Sequence, residues 1–244
     1  MKSKKLLTLI VSILMILTIP FMIYGFNFNS VAFDKDLYKE EFSKYNVYNN
    51  LKDYNIESIN NDVLNYLQSK KNNELIDNDF FNEREKTHLL DVKHLIEKVL
   101  ASYYFSIILF LLLFSTLIFL MNFNFKAIIK NLLIILAIGS LLALLDAVIF
   151  FLLSSFNFNF VFDLFHKSFF SFGTYTFDPT YENIVVLYPQ NLFFDFLVKI
   201  ISNAVLSSIV LLFFSIIFIF VFFESKFEKF IEKFTTRTSK NRKL

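Results

Sequence analysis

Four long runs of apolar residues restrict the folds open to this chain. They cover residues 6–26, 99–121, 131–153 and 200–223, and only the third run contains a charged residue, Asp146. A helix needs about 20 apolar residues to cross a hydrocarbon core of roughly 30 Å, and it satisfies its backbone hydrogen bonds internally. We therefore predict an all-α membrane protein with four transmembrane helices.

The distribution of Lys and Arg predicts the orientation of the chain, because these residues mark the cytoplasmic side of short loops. Three segments are basic: residues 1–5, 122–130 and 224–244. In contrast, residues 27–98 hold ten basic and fourteen acidic residues, and residues 154–197 hold one basic and four acidic. We expect a multi-pass protein of the cytoplasmic cell membrane with both termini in the cytoplasm. Two extracytoplasmic loops, 27–98 and 154–199, would form a small domain at the membrane surface.

The first extracytoplasmic loop has helical periodicity. Ile59, Val63 and Leu67 are spaced as on one face of a helix, which predicts short amphipathic helices lying on the membrane. The stretch that begins at Asp79 reads as a longer helix with Asn82 as its N-cap. We expect this helix to continue directly into the second transmembrane helix.

The second extracytoplasmic loop contains twelve Phe residues, too many for an ordinary solvated connection. It is expected to press into the lipid interface or to cover the helix bundle. Its segment NIVVLYP, residues 183–189, predicts a short strand or an extended run. In the C-terminal tail, KFEKFIEKF predicts an amphipathic helix on the membrane surface.

Composition excludes several classes of function. The formal net charge of +2 and the lack of a basic face argue against a nucleic-acid partner. Without cysteine, the chain has no disulfide, thiolate ligand or cysteine nucleophile. No glycine-rich phosphate loop, GxSxG motif, internal repeat or run of intramembrane charges is present. We expect no cofactor, and a transporter or channel is disfavoured.

The three histidines are the residues best suited to proton transfer. His88 and Asp91 lie three apart and share a helix face, and Asp163 and His166 do the same. One interpretation is that His88 and His166 meet as an acid and base pair, each oriented by its carboxylate, since histidine exchanges protons near neutral pH. His94 lies about 120° away from His88 around the helix and is the poorer candidate.

Other interpretations of these residues stay open. The histidines and aspartates can be solvated or capping residues of an amphipathic loop. A third interpretation is that the two histidines, His88 and His166, and their two neighbouring aspartates bind zinc or another metal. No HExxH or similar spacing supports this interpretation. Asp146 is either a functional group within the third span or a carboxyl hydrogen-bonded to the last helix.

The segments around the two histidines resemble a known family. NEREKTHLLDVKHL is followed some seventy residues later by FHKSFF and FDPTYENIVVLYPQNLFFD. In this order and spacing they are similar to the signature regions of the lipoprotein intramolecular transacylase family of bacterial membrane proteins. The layout of four helices and two outer loops extends the resemblance over nearly the whole chain.

The resemblance implies an enzyme that moves the sn-2 acyl chain of a lipoprotein's diacylglyceryl-cysteine onto the α-amino group of the same cysteine. The partners would then be a diacylated lipoprotein and membrane lipid, and the product a lyso-form lipoprotein. The resemblance also implies that His88 and His166 are the functional histidines. Asp91, Lys93 and Tyr188 lie within the matched motifs without an assigned role, and Lys93 is one candidate for stabilising an oxyanion.

Two other functional classes remain open at this point. A non-enzymatic assembly or interaction protein would use the outer loops as a binding surface. A metal-dependent membrane lipid hydrolase would release free fatty acid. The sequence does not predict the oligomeric state or the acyl-chain preference.

Overall fold

A computed structural model describes residues 2–69, 74–170 and 175–223 of the chain. Within these residues the fold is all helical, as predicted. Four helices are long: α1 (Lys2–Ala32), α5 (Glu83–Leu120), α6 (Phe125–Phe156) and α9 (Gln190–Phe223). Five are short: α2 (Lys35–Lys44), α3 (Val47–Asn50), α4 (Ile56–Gln68), α7 (Phe158–Phe169) and α8 (Ile184–Leu187). The predicted amphipathic helix of the tail lies outside the described residues.

The four long helices are long and apolar enough to cross a membrane. Many of their large apolar side chains are exposed, including Leu112 (62%), Phe119 (69%) and Leu206 (63%), as expected for surfaces that face lipid. Helix α5 has 38 residues and is therefore about 57 Å long, well beyond a hydrocarbon core of roughly 30 Å. Its first four turns carry the charged sequence EREKTHLLDVKHLIEK, so only its later, uncharged part is apolar enough to span.

The chain divides into two compact units. The first comprises Met1–Ile23, Ser106–Asp146 and Val205–Leu244, and the second comprises Tyr24–Phe105 and Ala147–Ala204. In the first unit, a Cβ added at Gly139 would lie 2.3 Å from Cδ1 of Ile19. Because small residues let membrane helices approach closely, Gly139 allows α6 to contact α1.

The second unit contains the segment between α1 and α5, the segment between α6 and α9, and a hydrophobic core. We call these two segments the first and the second inter-helix segment. Buried side chains come from seven of the described helices: Val31 of α1, Phe42 of α2, Val47 of α3, Val63 of α4, Leu89 of α5, Leu187 of α8 and Leu192 of α9. A polar contact also joins α2 to α9, where Lys44 Nζ lies 2.5 Å from Asp195 Oδ2. The adjacent Tyr45 hydroxyl donates a hydrogen bond to the same carboxylate oxygen.

Two expectations about this unit were wrong in detail. Helix α4 is amphipathic as predicted, but its apolar residues Ile59, Val63 and Leu67 pack into the core of the chain instead of lying on a membrane. The segment predicted as a strand forms the helical turn α8, because Ile184 and Leu187 are both buried in the same core. A spacing of three residues places these two side chains on one face of a helix, whereas a strand would place them on opposite faces.

Candidate active site

The start of α5 is fixed by a reciprocal cap. Asn82 Oδ1 accepts hydrogen bonds from the backbone N–H groups of Arg84 (2.9 Å) and Glu85 (3.0 Å). Glu85 Oε2 in turn accepts a hydrogen bond from the backbone N–H of Asn82 at 2.7 Å. This capping box satisfies free N–H groups at the helix end and confirms the predicted N-cap. His88 follows one turn later and is therefore held on a fixed helix.

Two glutamates, Glu85 and Glu182, attach the segment before α8 to this helix start, and we call them the carboxylate clamp. Glu85 is buried, and its Oε1 accepts a hydrogen bond from the backbone N–H of Ile184 at 2.6 Å. Glu182 Oε1 accepts a hydrogen bond from Arg84 Nη1 at 2.8 Å, and its Oε2 accepts one from the backbone N–H of Asp178 at 2.7 Å. The clamp thus ties the second inter-helix segment to α5 beside His88.

His88 and His166 face each other in this region. Their ring centroids lie 6.2 Å apart and their planes are inclined by 20°. His88 is buried, with 7% of its surface exposed. The rings of Phe170 and Phe177 lie 4.9 Å and 5.3 Å from the His88 ring and enclose it. His88 therefore sits in an aromatic environment with little access to water, and His166 is half-buried beside it.

Helix α7 determines which nitrogen of His166 carries a proton. His166 Nδ1 lies 2.7 Å from the backbone carbonyl oxygen of Phe162, one turn earlier. A carbonyl only accepts hydrogen bonds, so Nδ1 carries the hydrogen and Nε2 keeps a lone pair. The ring of Phe162 also packs on the imidazole at 4.1 Å between centroids. His166 is thus held as a neutral tautomer whose Nε2 can accept a proton.

Burial keeps both imidazoles uncharged near neutral pH. Loss of hydration, with smaller electrostatic contributions from His166 and Arg84, lowers the pKa of His88 to about 4. Burial also lowers the pKa of His166, although the Phe162 carbonyl and the Asp163 carboxylate partly oppose this effect. Two neutral imidazoles can accept a proton and donate a hydrogen bond in the same site.

The predicted orientation of each histidine by a nearby aspartate was wrong. Among the described residues, Nδ1 of His88 has no hydrogen-bond partner, so Asp91 does not hold it. Asp163 instead pairs with Lys167 Nζ at 2.5 Å, one turn further along the exposed side of α7. The charged Lys167 is a stronger partner for the Asp163 carboxylate than a neutral imidazole is. The Phe162 carbonyl orients His166 instead.

Lys93 and Tyr188 lie in the matched motifs but contact the first inter-helix segment. The ammonium of Lys93, which is fully buried, donates a hydrogen bond to Ser69 Oγ at 2.8 Å and lies 4.6 Å from the Tyr66 ring centroid. The Tyr188 hydroxyl donates a hydrogen bond to Asn60 Oδ1 at 2.9 Å. Burial raises the pKa of Tyr188 well above its ordinary value. These contacts hold α4 and the residues after it against α5 and α8.

Sequence reasoning missed the residues that surround the histidines. Phe162, His166 and Phe170 are spaced four residues apart, and this spacing was a signal that the aromatic rings flank the imidazole on one helix face. Arg84 and Phe177 carried no local signal. Arg84 lies over the Phe177 ring at 4.8 Å, a contact between residues 93 positions apart. Within residues 2–69, 74–170 and 175–223, no group of three His, Asp or Glu side chains is placed to hold a metal ion.

The chain resembles proteins of known structure along most of its length. A family model described as lipoprotein intramolecular transacylase Lit matches residues 13–194. The structure of the membrane-integral lipoprotein intramolecular transacylase Lit from Bacillus cereus is 25% identical, with a TM-score of 0.69, and the match covers 86% of this chain and 93% of that one. A search of curated protein sequences finds no significant match.

Two further solved structures are variants of the Bacillus cereus protein in which a histidine is replaced by arginine or by alanine. Each is 23% identical to this chain with a TM-score of 0.67. Each match covers 88% of this chain, and 91% and 92% of the respective variant. At this identity they show the shared fold alone. The family model, however, matches well over half of the sequence. This chain belongs to the lipoprotein intramolecular transacylase family, whose members are membrane acyltransferases that modify lipoproteins.

Proposed function

We propose that this protein moves the sn-2 acyl chain of a diacylglyceryl-cysteine onto the α-amino group of the same cysteine, using His88 and His166. The facing arrangement of the two histidine rings is the main support for this proposal. Two neutral imidazoles face each other at 6.2 Å inside a ring of aromatic side chains, on segments that are far apart in sequence. The chain has no cysteine nucleophile and no serine elbow, so a direct attack by the substrate's amine fits its residues better than a covalent intermediate.

His166 is the proton carrier in this mechanism. The free α-amine attacks the ester carbonyl carbon, and a new C–N bond forms as the carbonyl oxygen becomes negatively charged. The amine nitrogen then loses a proton to Nε2 of His166, the nitrogen that the Phe162 carbonyl leaves unprotonated. When the bond from the carbonyl carbon to the sn-2 oxygen breaks, the departing oxygen takes that proton back. No proton is gained or lost overall.

His88 is suited to stabilise the negative charge that develops. Its lowered pKa keeps the ring neutral, so one ring nitrogen carries an N–H group that can donate a hydrogen bond to the developing oxyanion. Nδ1 has no partner among the described residues, so it can bind the substrate without breaking an existing hydrogen bond. The rings of Phe170 and Phe177 exclude water, which would otherwise hydrolyse the ester and release free fatty acid.

The reacting amine and ester belong to one molecule, so proximity supplies much of the rate. An α-amine has a pKa of roughly 8, so a useful fraction is already deprotonated near neutral pH. The protein therefore has to fold the substrate into an attack geometry and carry a single proton. A site with two histidines is sufficient for this task.

The test is mass spectrometry of lipoprotein N-termini in bacterial cells that make only the diacylated form. We expect lyso-form lipoprotein when the wild-type chain is produced and none with His166→Ala. His94→Ala is the comparison variant and should lose much less product than His166→Ala, because its imidazole lies outside the facing pair and carries no proton in this mechanism. Near-normal product from a well-expressed His88→Ala/His166→Ala double variant would overturn the mechanism and favour a non-enzymatic assembly factor. Release of free fatty acid that a chelator abolishes would favour a metal-dependent hydrolase.

We further propose that the histidine pair faces out of the cell at the cytoplasmic membrane, where lipidated lipoproteins are held. The support is the basic character of residues 1–5, 122–130 and 224–244, which favours these segments for the cytoplasm. The chain has no native cysteine, so Asn49→Cys would place a single thiol at an exposed position of the first inter-helix segment. Labelling by a membrane-impermeant maleimide applied outside is expected, and labelling only from the cytoplasmic side would reverse the topology.

A further inference from the structure

A groove beside the histidine pair has no role in the mechanism above. It encloses a cavity of about 410 Å³ on the side of α5 that carries Asp91, His94, Lys98 and Ser102, and Phe169 of α7 contributes to its wall. These α5 residues recur at three- and four-residue intervals, so they form one stripe along the helix. The stripe is about 16 Å long and runs from the charged turns of α5 into its uncharged part.

The groove is continuous with the histidine pair on both of its sides. On α5, Asp91 follows His88 by three residues, or about 4.5 Å along the helix axis. On α7, the Phe169 ring lies 5.1 Å from the Phe165 ring, which in turn lies 5.4 Å from the His166 imidazole. A molecule in the groove therefore extends from the histidines toward the membrane-embedded part of α5.

Asp91 differs from Glu85 and Glu182, the carboxylates of the nearby clamp, in having no partner among the described residues. Glu85 and Glu182 accept hydrogen bonds with both of their oxygens. Asp91 is half-buried and makes no hydrogen bond or ion pair with any described residue. Half-buried carboxylates are normally paired, because loss of hydration without compensation costs free energy. A cation that enters the groove would supply the missing partner.

We propose that Asp91 binds the α-ammonium group of the lipidated cysteine, while one lipid chain lies along the groove toward Val99, Ser102 and Phe169. This inference rests on the proposed function, which supplies a substrate with a cationic amine beside two acyl chains. Neither neutral imidazole repels that cation, and Lys98 lies two helical turns from Asp91, about 10 Å along the axis, where salt screens its charge. Asp91 thus concentrates the amine one helical turn from His88, whose ring faces the His166 imidazole that takes the proton.

The test compares two lipopeptides in detergent micelles. One is a synthetic diacylglyceryl-cysteine peptide with a free α-amine, and the other is the same peptide with that amine acetylated, which removes the positive charge. For the wild-type protein, we expect the free-amine form to bind about tenfold more tightly, as is usual for a partly buried charge pair. Asp91→Asn should bind both forms equally, and its KM for the free-amine peptide should rise about tenfold with a smaller change in kcat.

Two further variants control for unrelated effects. Glu97→Gln also removes one negative charge from α5, at a position about 120° from Asp91 around the helix axis. This variant should keep the preference for the free amine. Asp91→Glu keeps the charge and should restore most of that preference. Equal binding of both peptides by the wild type, or an unchanged preference in Asp91→Asn, would overturn the inference. An Asp91-dependent preference without lyso-form product would support the ammonium site and refute the transacylation.

Discussion

Two polar clusters lie around the first turns of α5, and they differ in how fully their polar atoms are hydrogen-bonded. The carboxylate clamp of Glu85 and Glu182 has a hydrogen-bond donor on each of its four oxygens. The histidine pair holds only one described hydrogen bond, from His166 to a carbonyl, and Nδ1 of His88 has none. Buried polar groups that serve the fold are normally satisfied. The unsatisfied nitrogens are therefore the ones available to a substrate.

The comparison predicts opposite effects for substitutions only three residues apart. Loss of a clamp residue should reduce stability, and activity would fall only as folded protein is lost. Loss of a histidine should reduce activity and leave the folded protein intact, because these side chains make few bonds that the fold needs.

The largest expected effect is the loss of activity in His166→Asn. Asparagine can form hydrogen bonds but cannot carry a proton, so kcat/KM should fall by the acid-base factor of roughly 10² to 10⁴. The apparent melting temperature in detergent should stay close to that of the wild type. Conversion of a synthetic diacylglyceryl-cysteine peptide, followed by mass spectrometry, measures the rate. The His88→Ala/His166→Asn double variant should lose less than the product of the two single losses, since the pair acts as a unit.

The second prediction concerns the clamp. Glu85→Ala leaves the backbone N–H groups of Asn82 and Ile184 without their acceptor, at a cost of roughly 4 kcal/mol in the free energy of unfolding. Unfolding of the purified protein in detergent, followed by circular dichroism, would show the loss. Glu83→Ala is the matched control, because Glu83 is exposed in the same turn and the one described partner of its side chain is Lys86, at 3.4 Å. Equal stability of the two variants would contradict the structural role of the clamp.

The third prediction uses pH. The pKa of His88 is about 4 in the folded protein, below its ordinary value of about 6.5 in the unfolded chain. Between these two values the unfolded chain binds a proton that the folded protein does not, so stability should fall as the pH decreases from 6.5 to 4. The contribution is at most about 3 kcal/mol over this range, and it is fully present above pH 6.5.

His88→Phe separates this contribution from that of the carboxylates, because phenylalanine fills the same aromatic pocket and cannot be protonated. As the pH falls from 6.5 to 4, the free energy of unfolding of the wild type should decrease relative to that of His88→Phe. Unfolding midpoints measured at half-unit pH steps would show this slope. Parallel curves for the two proteins would mean that His88 is accessible to solvent in the folded state.

Local patterns in the sequence were enough to predict the four long helices, and they suggested as one hypothesis that the two histidines meet. Apolar runs of spanning length lie within the four long helices, and Asn82 followed by Glu85 gave the cap of α5. The two histidine segments were matched by their motifs, and the structure brings them together. The motifs did not predict how the imidazole rings of His88 and His166 are oriented.

The remaining features depend on contacts between distant residues. Glu85 accepts a hydrogen bond from a residue 99 positions away, and the Phe177 ring reaches His88 from 89 positions away. Periodicity within one segment carries no information about such contacts. The same limit explains the error at α8, where a run of β-branched residues favours a strand locally but burial of Ile184 and Leu187 in a common core selects a helical turn.

The smallest expected effect tests whether Tyr188 belongs with the clamp or with the histidines. Its hydroxyl donates to Asn60 of α4, and its ring packs 6.1 Å from Tyr38 and 6.0 Å from Phe42. Tyr188→Phe keeps the ring packing and removes one hydrogen bond, so the free energy of unfolding should fall by about 1 kcal/mol. The kcat/KM of the folded protein should stay within about twofold of the wild type, because a phenol whose pKa is raised by burial does not exchange protons near neutral pH. Both quantities are measured on the same preparation. Unfolding in detergent gives the free energy, and lipopeptide conversion gives kcat/KM. A loss of activity tenfold or more at unchanged stability would place Tyr188 in the reaction and extend the catalytic group beyond the two histidines.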